Sequence, residues 1–165
     1  MIGRIIQRTG AILPGIAIVA KAAMTPDLRL AIIVNPELPL GLIANTAGAI
    51  AIGLGATVPA LAARRLTDRG DRAVDIISSQ PVPILQADGA AIRALMLKAL
   101  AWPDMGAGER AVVPFPAFAR SQHVYAEYAA AFSDRDLSEE TIDGLGLAGP
   151  AKWIRSLTGA LKLLR

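Results

Sequence analysis

The chain has 165 residues, no cysteine, a single histidine and a formal net charge of +3. That length suits one α/β domain with a real core and is short for two. Without cysteine there is no disulfide framework, no thiolate nucleophile and no Cys-based metal site. His123 alone excludes a His-cluster metal site and leaves a Ser–His pair one candidate. The mild basicity permits contact with phosphate or an anionic surface without requiring it.

Residues 1–28 read as an N-terminal extension, either helical or poorly ordered or the product of an upstream start with Met24 as the natural one, with residues 29–165 as the single domain. Arg4 and Arg8 precede an apolar run, Ala11 to Ala20, and Ala20-Lys21-Ala22 loosely imitates a small-residue cleavage site. A signal peptide is the second reading, although Pro14, Gly15 and Lys21 spoil its apolar region. A membrane anchor is the third, and about ten apolar residues do not span a bilayer.

The β-branched run Leu30-Ala31-Ile32-Ile33-Val34 suits a buried strand. Asn35, Pro36, Pro39 and Gly41 are loop chemistry, and a residue before proline leaves the α region. Leu42 to Ala63 predicts an alanine-rich helix on the sheet. Its small residues, with Asn45, Thr46, Thr57 and Pro59, argue for packing against a sheet rather than for a membrane span. A strand, a tight loop and a helix N-terminus facing that loop form a common ligand-site geometry.

Arg64, Arg65, Arg69 and Arg72, interspersed with Asp68 and Asp71, read as a solvated loop or as a phosphate-facing patch. Val82 to Gln86 suggests a short strand near a sheet edge. Asp88 then N-caps a helix through about Trp102, with Ile92, Leu95, Met96 and Ala99 on one face. Pro103 to Gly108 is loop, and Arg110 to Phe115 a strand. Ser121 is expected to start a helix carrying Val124, Tyr125, Tyr128 and Phe132. An acidic stretch, Asp134 to Asp143, leads into a strand over Gly144 to Pro150. Pro150 opens a short helix through Leu157, and Ala160 to Leu164 ends the chain as a strand expected beside the first one. Alternating elements argue α/β: a small mixed sheet of about four to five strands with helices on both faces.

Two stretches resemble type 2 peptidyl-tRNA hydrolases: Glu37-Leu38 and Gly41 before an alanine-rich helix, and Leu147-Ala148-Gly149-Pro150 with Leu157-Thr158-Gly159 and Leu161-Lys162-Leu163-Leu164. Val34-Asn35-Pro36-Glu37-Leu38-Pro39, Ala44-Asn45-Thr46-Ala47, Phe115-Pro116 and the Tyr125/Tyr128 pair look more closely like a bacterial family of unknown function with this fold. The resemblance implies the hydrolase-like fold, yet the hydrolases' lysine falls on Leu42, their glutamine on Thr46 and their histidine on Ala49. Their Asp-Ala-Gly-x-Thr-Gln motif lies best over Ala117 to Gln122, where the aspartate becomes Ala117, Ser121 stands for threonine and Gln122 is retained. Hydrolysis of the peptide–ribose ester needs an activated nucleophile and an oxyanion partner. Leu42 and Ala117 supply neither.

The expected activity is therefore binding of a small polar or nucleotide-like ligand in the old crevice, through Asn35, Asn45, Thr46 and Gln122. Ser121 and His123 are the candidates for any catalysis. In their structural readings Asn45 holds the loop backbone, Thr46 bonds back to a carbonyl and Ser121 caps its helix. No metal or cofactor is expected. The alternatives are a tRNA-binding module using the four arginines with Lys152, Arg155, Lys162 and Arg165, an active hydrolase with altered catalytic residues, or a structural homodimer. The expected location is the cytoplasm.

Overall fold

The computed structural model describes residues 27–62, 64–75, 77–103 and 110–165. The expectations for the N-terminal extension, and nearly all of the loop before Arg110, lie outside these residues.

Strand β1 (Leu28–Val34) is buried from Leu30 to Val34. It is the middle strand of a five-stranded mixed sheet of order β5-β6-β1-β4-β7. On one side it pairs antiparallel with β6 (Ile142–Pro150), from Leu28 opposite Pro150 to Val34 opposite Gly144. On the other it runs parallel to β4 (Ile84–Gln86). Strand β5 (Ala111–Pro116) forms one border of the sheet beside β6. The last strand, β7 (Lys162–Leu163), forms the other border and pairs with β4, one place removed from the position expected beside β1. Three consecutive residues of β4 are all the pairing available on that flank of β1, and the chain end takes β4's free edge instead.

Alternation in the strands feeds two cores. Leu30, Ile32 and Val34 join Ala148 and Ala111 under helix α1 (Leu40–Thr57), which contributes Ala47, Ile50 and Leu54. Ala31, Ile33, Leu145 and Leu147 face the opposite side. There α2 (Gly89–Leu100) supplies Ile92, Met96 and Ala99, and α4 (Ala151–Thr158) supplies Trp153, Ile154 and Leu157. Asp88 caps α2 as expected, its Oδ1 accepting from the Ala91 N–H at 2.8 Å. The sequence-level fold class therefore holds: an α/β sheet of five strands with helices on both faces.

Four local expectations are corrected. The first helix ends at Thr57 and not at Ala63, because Pro59 has no N–H to continue it and opens a 3-10 turn, Pro59–Leu61. The arginine-rich segment forms a small exposed hairpin, β2 (Arg65–Thr67) with β3 (Ala73–Asp75), in place of a loop. Its turn is held by Asp68 Oδ1, which accepts from the N–H groups of Gly70 and Arg72. Pro150 precedes α4 as its N-cap residue rather than occupying the first helical position. Ser121 does not start α3 (Tyr125–Ser133): it ends a 3-10 turn, Ala117–Ser121, and its hydroxyl donates to Phe118 O at 3.0 Å.

Helix α1 is long and apolar enough to cross a membrane by length and composition, and 22% of it is buried in this fold. The buried part is one stripe, Thr46, Ala47, Ile50 and Leu54, laid on the sheet. It lies close because β6 offers Gly144 and Gly146 beneath it. A Cβ on Gly144 would stand 2.5 Å from Thr46 Cγ2 and 2.9 Å from Ile50 Cδ1.

Candidate functional site

After β1 the chain turns sharply before re-entering as α1. Asn35 makes the turn: its Oδ1 accepts from the Glu37 N–H at 3.0 Å, and its own N–H donates to Asp143 O at 2.9 Å. The first is the backbone-organising bond that short polar side chains make in turns; the second is a main-chain bond that ties the turn to β6. Helix α1 then starts from Pro39 with no side-chain cap.

Adjacent residues on α1 have opposite fates. Thr46 is buried against Gly144, while Asn45 is exposed. The sequence places both in the first turns; the fold turns one into the sheet and the other to the outside. Leu42 and Ala117 are half-buried, and the Ala117 N–H donates to Thr141 O at 2.8 Å.

One groove gathers candidates from separate elements. It lies between α1 and the segment running from β5 through the 3-10 turn into α3, with a volume of about 520 Å³. Ala49, Ile52 and Gly53 of α1 form one wall and Val113, Pro114 and Phe115 of β5 the floor. Gln122, His123, Tyr125 and Tyr128 line the other side. The helix comes this close because Gly53 has no side chain: a Cβ there would stand 2.9 Å from Val113. Tyr128 stacks on Phe118 at 5.8 Å, and burial raises its hydroxyl above the ordinary tyrosine value of 10.0. Of the sequence candidates, Gln122 and His123 meet here; Asn35, Asn45, Thr46 and Ser121 do not line the groove.

No lysine, arginine, aspartate or glutamate lines this groove, and no group of three or more His, Cys, Asp or Glu able to hold a metal occurs among the described residues. What the lining offers is an apolar slot with an amide, an imidazole and two phenol groups. Such a set binds and orients through hydrogen bonds and stacking.

The charged pair next to the groove escapes a reading of sequence alone. Asp143 is 1% exposed, and Arg120 grips it with Nε and a terminal nitrogen, each at 2.5 Å. Those hydrogen bonds raise the guanidinium further above its usual value. Asp143 stands at the bulge where Pro116 faces Ile142 and Phe115 faces Gly144, so β6 changes sides around it. In sequence it closes an acidic stretch and looks solvated. Its one distinguishing signal is its position directly before the Gly144–Pro150 run.

The arginine patch is partly neutralised by its own hairpin. Arg72 pairs with Asp68 at 2.7 Å and Arg65 with Asp75 at 3.4 Å, all exposed. Hydrogen bonds from Arg72 hold the Asp68 carboxyl below the usual carboxylate range.

Known proteins add the lineage. Curated proteins provide no match to the chain. A solved structure of a protein of unknown function from Agrobacterium tumefaciens superposes with a TM-score of 0.71 at 18% identity, covering 83% of this chain and 97% of that one. At that identity the likeness is one of fold. The profile of a family described as "Protein of unknown function (DUF2000)" matches residues 28–165, from the first residue of β1 to the end of the chain, and the chain belongs to that family.

Proposed function

We propose that this protein binds a small, flat, nucleotide-like ligand in the groove between α1 and β5, and that it does not hydrolyse peptidyl-tRNA. The observation that carries the reading is the lining: an apolar slot of about 520 Å³ with Gln122, His123, Tyr125 and Tyr128 along one side. That volume falls within the range of small-molecule sites, and a mostly apolar wall with a few directed polar groups is their usual composition. An aromatic base fits beside Val113 and Tyr128, with the Gln122 amide able to pair with its edge. The resemblance to type 2 peptidyl-tRNA hydrolases supports no hydrolysis: Leu42 and Ala117 stand in the aligned places of their lysine and aspartate, and neither supplies the cation or carboxylate that ester hydrolysis draws on.

Titration calorimetry with adenosine, guanosine and their monophosphates tests the proposal. Saturable binding of at least one is expected, weakened about tenfold by Gln122→Ala, a loss of roughly 1.4 kcal/mol. Absence of saturable heat for all four at millimolar concentration overturns ligand binding. Turnover of peptidyl-tRNA above the uncatalysed rate overturns the second half.

A further inference from the structure

Helix α1 is apolar on every side, yet the fold buries one stripe of it. Thr46, Ala47, Ile50 and Leu54 face the sheet, while Ile52, on the opposite side, is 76% exposed. A helix with no polar face is ordinarily enclosed. The glycines sharpen the anomaly. Gly53 has to be small because of Val113, but a Cβ on Gly41, Gly48 or Gly55 would meet nothing within 4 Å. Glycine is the poorest interior helix former after proline. Three of them, each seven residues from the next, lower helix stability with no return among the described residues. At 3.6 residues per turn they line up along the exposed side, next to Ile52.

We propose that this side of α1 is a homodimer interface, packed antiparallel on the same helix of a second copy across a two-fold axis at Gly48. The pattern is self-complementary under that operation. Gly41 falls opposite the partner's Gly55, and Ile52 opposite the partner's Ala44. Gly41, Ala44, Asn45 and Gly48 stand at i, i+3, i+4 and i+7, the four corners of a hole for a knob from a facing helix. Ile52 of each copy fills that hole in the other, and the missing side chains let the two backbones approach. An isologous contact of this kind closes after two copies.

Charge and area agree with a second copy as occupant. No charged residue occurs between Leu40 and Thr57, so the contact strands no ion. The helix strip alone, about 27 Å long and 10–12 Å wide, offers roughly 300 Å², against roughly 800 Å² per partner in a stable interface. The remainder is adjacent. On the side away from the ligand groove, Ile52 borders a second apolar groove, which holds Ile77, 87% exposed. The interface goes beyond the ligand reading and does not rest on it.

Sedimentation equilibrium of the full chain tests it. The expected mass is twice 17.2 kDa. Ile52→Lys and Gly48→Leu should each weaken association at least about tenfold, with unchanged far-UV circular dichroism, because both positions face open space. Since the chain has no cysteine, Gly48→Cys provides a second readout. Under mild oxidation it should give a covalent dimer, whereas Leu97→Cys, exposed on α2 across the sheet, should not. A wild-type monomer at the highest soluble concentration overturns the proposal, and so does a dimer that survives both substitutions. A monomer whose introduced thiol in Gly48→Cys resists a thiol reagent also overturns it, and gives the face to residues 1–26.

Discussion

The two faces of the sheet are covered on opposite terms. Below α1, β6 offers Gly144, Gly146 and Ala148, and the helix rests nearly on that strand's backbone, with Leu30, Ile32 and Val34 of β1 beside it. Below α2 and α4 they offer Ile33, Leu145 and Leu147, which interlock with Met96, Ile154 and Trp153. The first layer is held by proximity and has no room for added atoms. The second is held by volume and suffers when atoms are removed. A close-packed interior penalises both errors, by different mechanisms.

The contrast can be broken from either side. The largest effect is expected on the voluminous face: Trp153→Ala should cost about 4 kcal/mol in urea unfolding, the transfer and cavity terms together. Removing one partner of the ion pair comes next. Arg120→Met leaves the Asp143 carboxylate buried, at about 2–3 kcal/mol, below the full penalty because Arg120 is 38% exposed and water can follow. Asp143→Asn added to that variant should recover part of the loss; no recovery would assign the effect to packing. On the thin face, Gly146→Ala drives a methyl into Ile50 and Leu54 and should cost about 2 kcal/mol. The same change at Gly55, where a Cβ meets nothing among the described residues, should not cost the monomer. The smallest loss is expected from Asp88→Ala, which removes the cap of α2 for about 1 kcal/mol in thermal unfolding. Helix α1 has no comparable cap to lose.

The thick face was the more legible one in sequence. Ile92, Met96 and Ala99 recur at helical spacing behind a capping aspartate, and the structure buries those three. The β-branched run Leu30–Val34 was equally plain, because five consecutive buried residues need no alternation to be read. The thin face hid its orientation. An apolar helix carries no periodic contrast, so nothing in the string says that Thr46 turns inward and Asn45 outward. The β2–β3 hairpin was missed because its three-residue strands are wholly exposed and carry no burial pattern. Ser121 was misread as a cap because a serine ahead of a helical pattern is ambiguous by a few residues, and here a 3-10 turn takes it first. Of the groove lining, the sequence offers Gln122 through the hydrolase-like motif and His123 as the chain's single histidine. Their convergence with Val113 and Ile52 depends on strand order, which no local spacing encodes.

The borders of the five-stranded sheet have a consequence for how copies of this molecule can meet. One outermost strand, β5, carries prolines at 114 and 116, alternate positions that lack an amide hydrogen; the other, β7, is two residues long. Neither offers an incoming peptide a row of donors to zip onto. The five-stranded sheet is thereby guarded against ribbon-like polymerisation along its borders.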